Sequence, residues 1–415
     1  MATDIEKTIR QDPNIRKFCF YGFFKNLKFF EPYLYLYLIN QGFSFFLIGT
    51  LFSIQEAIVY LMEIPSGVFA DNYGKKTALI IAFSFYIASF AGFFFIKNFA
   101  IAVIAISLYA LGEAFRSGTH KALIYNYLEH KNWFEYKTLV YGRTRSFSLI
   151  GSALSAILSI AFIIGLPSVK WLFLLSILPY LIDALLVISY PQYLDEKQRT
   201  KFSASGLIKD TFLHLKKIIK RKKLLRVLIN SAQFDASFKV TKDYIQPILK
   251  TMIMASPIML FPFLEKEQNI KAILGITYAL FYIFSAAASR NIYKLTKKTS
   301  SVNLLNTGYL ILAILMAITA LIIKLNIVIL IPILFFALYI VKNARRPIIV
   351  DVLGDIIEKT ERATVLSVDS QLRSIAMVVL SPLFGLIADT AGLSGAFIIL
   401  GALLILLYPV ISCRK

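Results

Sequence analysis

The chain has 415 residues, of which 58% are hydrophobic and only 17% are charged, and its mean hydropathy is +0.69. A soluble domain carries roughly 25% charged residues, so this composition excludes an ordinary soluble globular protein. The net charge of +21 would suggest a nucleic-acid partner in a soluble chain, but here Lys and Arg gather in alternate loops between apolar runs. That distribution follows the positive-inside rule of membrane proteins and argues against nucleic-acid binding.

Long apolar runs follow one another from the N-terminal region to the end of the chain. A transmembrane helix needs about 20 predominantly apolar residues, and twelve runs meet this length. They cover residues 17–39, 45–66, 77–97, 100–125, 140–164, 169–190, 224–249, 269–289, 301–323, 325–345, 362–386 and 393–412. The sequence therefore predicts an all-α integral membrane protein with twelve transmembrane helices.

The charges in the loops predict the orientation of these helices. One set of loops and both terminal segments contain Lys or Arg, whereas the loops of the opposite side are nearly free of them. The basic loops are 67–76, 126–139, 191–223, 290–300 and 346–361. Basic loops stay on the cytoplasmic side, so both termini are predicted to be cytoplasmic. We expect a multi-pass protein of the cell (inner or cytoplasmic) membrane.

The longest basic loop divides the chain. Residues 1–190 are predicted to form an N-terminal six-helix bundle and residues 224–415 a C-terminal one, joined by a cytoplasmic linker over 191–223. Within the linker, residues 205–221 have apolar side chains at helical spacing with Lys between them, which favours an amphipathic helix on the inner membrane surface. A plain solvated linker is the alternative. Residues 251–268 either extend span seven or form a short interfacial segment.

A family resemblance rests on the short sequence GVFADNYGKK at residues 67–76. It is similar to the loop between helices two and three of the major facilitator superfamily, G-x-L-A-D-R-x-G-R-K, except that Asn72 stands where Arg is usual. Residues 63–66 resemble the end of helix two in that family. Residues 112–119 and 362–367 resemble helix four and the start of helix eleven of its bacterial drug-efflux-like members.

The resemblance implies a specific fold and mode of action. The fold would be two pseudo-symmetric six-helix halves, and helices one, four, seven and ten would line a central cavity. Residues 67–76, called here the latch loop, would close the cytoplasmic side in one conformation, although a simple solvated loop is the alternative. The residues of the latch loop that match the family pattern are Gly67, Asp71, Gly74, Lys75 and Lys76. Members of the superfamily are usually monomeric, so a monomer is expected.

Ionisable side chains inside the predicted spans are the candidate site residues. A charge at the bilayer centre costs roughly 2.5–3.5 kcal/mol on insertion scales, so such a residue is kept only where it is paired or faces a water-filled cavity. Most of them occur three or four residues apart on one helix. The candidates for solute binding and proton coupling are Lys28, Glu31, Glu56, Glu113, Arg116, Asp235, Lys239, Asp243, Asp369 and Arg373.

Two interpretations of these charges remain open. Charges spaced three or four apart can neutralise each other along one helix, so the candidates include four potential structural pairs. These are Lys28 with Glu31, Glu113 with Arg116, Lys239 with Asp243, and Asp369 with Arg373. Glu56 has no basic residue at such spacing on its own helix and is the first candidate for a group that changes protonation during transport. Glu113 is the second, and Asp235, with Lys239 as its expected partner, is the third.

The sequence therefore predicts a transporter and not an enzyme. No nucleotide-binding motif occurs, and the three histidines are too scattered for a metal site, so no cofactor and no metal are expected. The first hypothesis is proton-coupled efflux of a small organic solute by alternating access, resembling drug/proton antiport. Proton-coupled uptake of an anionic or zwitterionic metabolite, a lipid or lysolipid flippase, and a transporter-like receptor are the alternatives. Protons, the solute and membrane lipids are the expected partners, and nucleic acid is not.

Overall fold

The computed structural model describes residues 2–195, 221–255, 260–291, 299–357 and 362–413, and all regular structure in these ranges is helical. The predicted all-α class is therefore confirmed for the described part of the chain. The predicted amphipathic helix of the linker lies outside the described residues except for Arg221.

The described residues contain fifteen α-helices. Their bounds are α1 (Ala2–Gln11), α2 (Pro13–Lys25), α3 (Leu34–Asn40), α4 (Phe45–Tyr73), α5 (Lys75–Phe94), α6 (Phe99–Arg116), α7 (Thr119–His130), α8 (Lys137–Gly165), α9 (Trp171–Ile188), α10 (Lys222–Thr241), α11 (Ile245–Met254), α12 (Lys266–Asn291), α13 (Ser301–Leu325), α14 (Leu330–Ile356) and α15 (Arg362–Ile411). One-turn 3₁₀ helices lie at Glu31–Tyr33, Phe134–Tyr136, Gln192–Leu194 and Lys242–Tyr244.

The helices form two compact units. Unit 1 consists of Met1–Tyr37, Ile58–Phe202 and Tyr278–Ile283, and unit 2 of Leu38–Ala57, Ser203–Thr277 and Phe284–Lys415. In unit 1, α5 packs against α6 and α9, and α2 packs against α8. In unit 2, α15 packs against α10 and α13, and α13 also packs against α14.

Seven helices in the described residues are long and apolar enough to cross a membrane. Large apolar side chains on these helices are exposed, including Leu61 at 66%, Phe95 at 62% and Leu406 at 74%. A soluble protein rarely exposes large contiguous apolar patches, whereas the hydrocarbon of a bilayer is as apolar as leucine. These surfaces are therefore suited to contact with lipid. The count of twelve spans and the orientation of the termini stay predictions.

The first predicted span, residues 17–39, is interrupted near its middle. Helix α2 ends at Lys25, and helical structure resumes only at the 3₁₀ turn Glu31–Tyr33. The Asn26 side chain donates a hydrogen bond to the Gly22 carbonyl at 2.6 Å. Pro32 lies in the first turn of this 3₁₀ helix, where its missing N–H has no intrahelical partner to lose. Hydropathy averages over such a break, so the sequence analysis predicted one continuous helix.

The seventh predicted span, residues 224–249, contains a similar interruption. The 3₁₀ turn Lys242–Tyr244 separates α10 from α11, and Pro247 lies in the first turn of α11, where its missing N–H has no intrahelical partner to lose. Helix α11 ends at Met254, so residues 251–254 of the segment that the sequence left undecided extend this helix. Broken helices at corresponding places in two halves are a feature of transporter binding sites.

The last two predicted spans form one kinked element, α15. Gly392 interrupts its helical backbone with φ of 74° and ψ of 169°. The kink lies in the short loop predicted over 387–392, so the two predicted helices meet there with almost no connecting chain. A positive φ is readily adopted by glycine and disfavoured for other residues.

A close helix contact inside unit 2 joins the start of α4 to α15. A Cβ atom added to Gly49 would lie 2.3 Å from the Ser381 carbonyl oxygen, and one added to Gly385 would lie 2.2 Å from the Phe45 carbonyl oxygen. The Asp389 carboxylate accepts hydrogen bonds from the backbone N–H groups of Phe45 at 2.9 Å and of the next residue at 2.8 Å. We call this contact the glycine seam. It depends on the absence of side chains at two positions and on a carboxylate that caps α4.

The core of unit 2 extends to the C-terminal end of the described chain. Apolar side chains of α10 and α14 pack there with Leu305 and Cys413. The Asn306 side chain accepts a hydrogen bond from the Cys413 N–H at 2.9 Å and donates one to the Cys413 carbonyl at 2.7 Å. The side chain of Asn306 thereby ties the segment after α15 to α13.

Both cysteines are expected to resist thiol reagents in the folded protein. Cys19 and Cys413 are buried, and burial, opposed in part by Arg345 and Arg226, raises the pKa of the Cys413 thiol to about 11. Because the thiolate is the reactive form, maleimide at neutral pH should label neither residue in the folded protein. Labelling should occur only after a denaturing detergent unfolds the chain. Mass spectrometry of the labelled protein measures this, with Tyr73→Cys, at a 60% exposed position, as the reactive control. Rapid labelling of the native wild type would contradict the burial.

Candidate functional site

Unit 1 contains a cluster of charged and phenolic side chains centred on Glu113 of α6. The Arg116 guanidinium contacts the Glu113 carboxylate at 2.6 Å, which is the pair predicted from helical spacing. Tyr86 of α5 donates a hydrogen bond to the same carboxylate at 2.7 Å and accepts one from Arg116 Nε at 3.1 Å. The carboxylate is therefore held by two helices.

Lys28 joins this cluster from the break between α2 and α3. Its ammonium lies 4.0 Å from Glu113 and donates a hydrogen bond to the Tyr109 hydroxyl. Glu31 lies close enough to interact electrostatically with Lys28, as its spacing predicted. We call Lys28, Tyr86, Tyr109, Glu113 and Arg116 the Glu113 cluster.

The sequence analysis missed the two tyrosines of this cluster. Tyr109 lies one helical turn before Glu113 on the same helix, and this spacing was the available signal for it. Tyr86 comes from α5 and no sequence spacing relates it to Glu113. A Cβ atom added to Gly112 would lie 2.9 Å from the Tyr86 ring, so the close approach of the two helices brings Tyr86 to the carboxylate.

Unit 2 contains a second cluster, formed by Asp235, Asp369 and Arg373, which we call the Arg373 cluster. The Arg373 guanidinium contacts Asp369 one helical turn away at 2.5 Å, the predicted pair. Its Nε atom lies 3.2 Å from the Asp235 carboxylate. Arg373 of α15 therefore takes the place beside Asp235 that the sequence analysis assigned to Lys239.

Lys239 of α10 is paired with Glu56 of α4 by a short hydrogen-bonded ion contact. The Glu56 side chain is 10% exposed and that of Lys239 is 44% exposed. Asp243, the other expected partner of Lys239, contacts Lys242 at 2.6 Å. The expectations that Lys239 pairs with Asp235 or Asp243 are wrong because sequence spacing gives no information about α4.

The charged side chains of both clusters are partly buried and partly exposed. In the Glu113 cluster, the side chains of Lys28, Glu113 and Arg116 are 15%, 21% and 22% exposed. The Arg373 side chain in unit 2 is 28% exposed. Partial burial strengthens each ion pair relative to the protein surface, while the remaining exposure leaves room for a solute group to compete for the same partners.

The latch loop is mostly helical. Helix α4 continues through Gly67 to Tyr73, and the chain turns only at Gly74, where φ is 109°. Residues 67–73, which the apolar pattern placed in a loop after span two, are therefore the last two turns of α4. Lys75 lies 3.7 Å from Asp71, four residues before it, so the acidic and basic residues of the latch loop contact each other across the turn.

Lys76 fixes the end of the latch loop to the segment after α9. Its ammonium donates hydrogen bonds to the carbonyls of Ile188 at 3.2 Å and Tyr190 at 2.6 Å. Its backbone N–H donates to the Asp195 carboxylate at 2.8 Å, so Asp195 satisfies one of the free N–H groups at the start of α5. The sequence analysis did not identify Asp195.

Gly74→Ala is expected to destabilise this turn for two reasons. The positive φ disfavours any residue with a Cβ atom, and the new Cβ would lie 2.5 Å from the Asp195 carboxylate. We expect a loss of about 1–3 kcal/mol in stability, measured as a lower midpoint of thermal unfolding in detergent. Gly142→Ala is the control because nothing lies within 4 Å of the added atom. Equal midpoints for Gly74→Ala and the control would contradict this account.

No group of three or more His, Cys, Asp or Glu side chains suited to a metal occurs among the described residues. The His120 ring stacks on Tyr21 with centroids 3.5 Å apart and shares a 3.1 Å hydrogen bond with Tyr190. These contacts place His120 in the packing between helices of unit 1.

Comparison with known proteins identifies the family. The family model described as Major Facilitator Superfamily matches residues 17–344. The chain belongs to the major facilitator superfamily. It is therefore a multi-pass membrane transporter and not an enzyme. The family resemblance predicted from residues 67–76 is confirmed at the level of the superfamily. Assignment to the drug-efflux branch stays a prediction.

A curated relative and two solved structures are similar to the chain. The chain is 26% identical over 397 residues to the uncharacterized MFS-type transporter YxaM of Bacillus subtilis (strain 168), covering 93% of this chain and 92% of the relative. Its fold is similar to that of the nucleoside transporter NupG, with a TM-score of 0.77, 12% identity and coverage of 96% and 98%. A POT family transporter in complex with 5-aminolevulinic acid gives a TM-score of 0.76, 13% identity and coverage of 96% and 95%. At this identity the two structures show the fold alone.

Proposed function

We propose that the protein is a proton-coupled secondary transporter that moves a small organic solute by alternating access. The observation that carries this proposal is the ion pair between Glu56 and Lys239. It joins helices α4 and α10, which are separated by more than 100 residues of sequence, and it is partly buried. Protonation of the carboxylate removes the negative charge that holds the lysine, so one proton can change the contact between two helices.

Glu56 and Lys239 differ in exposure, and this difference bears on solute binding. Glu56 is largely covered, whereas nearly half of the Lys239 side chain is exposed. When Glu56 takes up a proton, Lys239 becomes free to bind an anionic group of the solute or to move into water. A ligand shifts a conformational equilibrium only by its differential affinity for the two states. A proton that binds Glu56 more tightly once Lys239 has moved meets this condition.

The Glu113 cluster and the Arg373 cluster supply the groups for solute binding. Each presents ion pairs whose members remain partly exposed, so polar groups of a solute can replace one partner without leaving the other charge unpaired. The buried Tyr86 hydroxyl holds Glu113 and Arg116 in place, and the partly exposed Tyr109 adds a flat aromatic surface. Such a lining suits a solute that has both polar and apolar parts.

We propose efflux as the direction of transport, with protons entering in exchange. The support is the resemblance of residues 112–119 and 362–367 to bacterial drug exporters. Uptake of an anionic or zwitterionic metabolite is the second candidate, favoured by Lys28 and Arg116 beside a single carboxylate in the Glu113 cluster. By the same proposal, the latch loop holds the cytoplasmic side closed in one state, and the protein acts as a monomer in the cytoplasmic membrane.

Proton release from the purified protein tests this proposal. The protein in detergent and weak buffer is mixed with cationic drugs, nucleosides, short peptides, 5-aminolevulinic acid and organic anions, and the pH is followed. Release on adding one class, absent when solute is added to buffer alone, is the expected result and names the solute class. Flux of that solute in proteoliposomes with an imposed pH gradient then gives the direction. Folded protein that binds a solute of this panel without releasing a proton would overturn proton exchange, and transport of a lysolipid instead would favour a flippase.

A further inference from the structure

A buried carboxyl group in unit 1 takes no part in the site described above. Asp183 lies on α9, and none of its surface is exposed. Neither of its carboxyl oxygens has a hydrogen-bond partner among the described residues. This contrasts with Glu113 of the same unit, whose carboxylate is contacted by Arg116, Tyr86 and Lys28.

Lys25 is the charged group that interacts with Asp183, and its backbone N–H also points toward the carboxyl group, although not with the geometry of a full hydrogen bond. It is the last residue of α2, immediately before the helix break, and its side chain is half-buried. No carboxylate of the described residues lies within 4.0 Å of the Lys25 ammonium. Glu113 attracts Lys25 from a greater distance, whereas Arg116, Lys28 and Arg145 repel it. The structure thus places an unpaired acid and an unpaired base near each other without a salt bridge.

The other helices around Asp183 bring phenols instead of cations. Tyr21 of α2 and Tyr190, just after α9, interact electrostatically with Asp183. Tyr86 of α5 packs against Tyr180, one turn before Asp183 on α9, but its hydroxyl is used by Glu113. From α8, Arg145 acts on Lys25. Lys25 is therefore the cation available to neutralise a charged Asp183.

Burial without hydrogen bonds strongly disfavours the charged carboxylate. Moving an ionised carboxylate out of water costs several kcal/mol unless it is paired and hydrogen-bonded. The neutral acid avoids most of that penalty. In this conformation the arrangement is stable with a proton on Asp183, and loss of the proton creates a buried negative charge that attracts Lys25.

We propose that Asp183 is a proton-binding site of unit 1 and that its deprotonation draws Lys25 into an ion pair with it. The proton leaves to water and the Lys25 ammonium replaces it as the neutralising charge. Because Lys25 ends α2 at the interruption of the first span, its movement changes the segment that also carries Lys28 of the Glu113 cluster. The role of this step in transport rests on the proposed function, whereas the protonation of Asp183 does not.

Infrared difference spectroscopy of the purified protein tests the protonation directly. A protonated carboxylic acid in an apolar site gives a carbonyl stretching band that a carboxylate lacks. We expect such a band at neutral pH in the wild type, its shift when aspartate is isotopically labelled in the carboxyl group, and its loss in Asp183→Asn. Glu113→Gln is the matched control and should keep the band, because Glu113 is a paired carboxylate.

Two further measurements separate an exchangeable proton from a fixed one. Transfer to heavy water should shift the band, and raising the pH should remove it reversibly. Lys25→Met should move that loss to higher pH, whereas a lysine-to-methionine change at Lys271, which is paired with Glu267 on α12, should not. Isotope labelling does not depend on the folding of a variant. A wild type without the aspartic-acid band, or with a band insensitive to both heavy water and pH, would overturn the proposal.

The outcome is independent of the solute experiment. If no solute of the panel releases protons, the infrared measurements still decide whether Asp183 binds one. If a solute does release protons, Asp183→Asn should reduce the number released per protein relative to the wild type. Unchanged release would remove Asp183 from the coupling mechanism even if the band is present.

Discussion

Glu56→Gln is expected to remove most of the solute-dependent proton release, leaving at most the contribution proposed for Asp183. The glutamine keeps the shape of the side chain and its hydrogen bond to Lys239, but it cannot bind or release a proton. Binding of the solute should persist, because the Glu113 and Arg373 clusters are unchanged. The measurement is proton release in weak buffer, combined with solute binding by the same preparation.

The matched control for this experiment is Glu267→Gln. Glu267 also lies near a lysine, Lys271 at 3.9 Å, but it is 61% exposed and one turn away on the same helix. An exposed pair of this kind contributes little, so proton release should equal that of the wild type. Full proton release by Glu56→Gln would assign the coupling to another carboxyl group.

The Lys239→Met variant separates the roles of the two partners. It leaves the largely buried Glu56 carboxylate without its cation. Removing one partner of a buried pair destabilises a protein by about 3–5 kcal/mol. Because the Lys239 side chain is 44% exposed, we expect a smaller loss of stability here. Combining Glu56→Gln with Lys239→Met should restore part of that loss, because contacting residues behave non-additively. Thermal unfolding of the four proteins measures this coupling. Strictly additive midpoints would contradict a direct interaction.

Gly385→Leu is expected to open the glycine seam between α4 and α15. Its Cβ would lie 2.2 Å from the Phe45 carbonyl oxygen, and a backbone atom cannot turn aside as a flexible side chain can. Overpacking of this kind typically costs 1–3 kcal/mol, and separation of the helices would also remove the Asp389 cap of α4, worth about 1 kcal/mol. We expect a clearly lower unfolding midpoint in detergent.

Two comparisons make this result specific to the seam. Gly49→Leu, which meets the Ser381 carbonyl from the other helix, should have the same effect. Asp389→Asn should lose only part of the cap and show a smaller change. Gly142→Ala, in the open face of α8, should be neutral. A Gly385→Leu protein as stable as Gly142→Ala would show that the two helices do not rely on this contact.

Two of the four charged pairs that helical spacing predicts form within one helix. Glu113 with Arg116 and Asp369 with Arg373 form as the helical spacing indicates, because residues three or four apart are neighbours on any α-helix. The pairs that join different helices could not be predicted. Glu56 with Lys239 and Arg373 with Asp235 depend on which helices pack together. A single sequence, read by itself, carries no direct signal for that packing.

The interruptions of the first and seventh spans were also visible only in part from the sequence. Pro32 and Pro247 are visible in the sequence, yet proline occurs both within and at the ends of apolar spans. In the folded chain, the Asn26 side chain donates a hydrogen bond to the carbonyl of Gly22, and the Phe29 backbone N–H donates one to the Ser176 hydroxyl of α9 at 3.1 Å. Because a partner on another helix helps to satisfy the backbone at the break, only the tertiary structure decides that the helix ends there.

The sequence by itself determined the membrane environment, the all-helical class and the superfamily. These follow from composition, from the length of apolar runs and from the pattern at residues 67–76, all of which are local properties of the chain. The tertiary structure alone decided the partners of Glu56, the isolation of Asp183, the close approach at Gly49 and Gly385, and the role of Asp195. Each of these depends on atoms brought together from distant parts of the chain, and such contacts arise only when the helices pack.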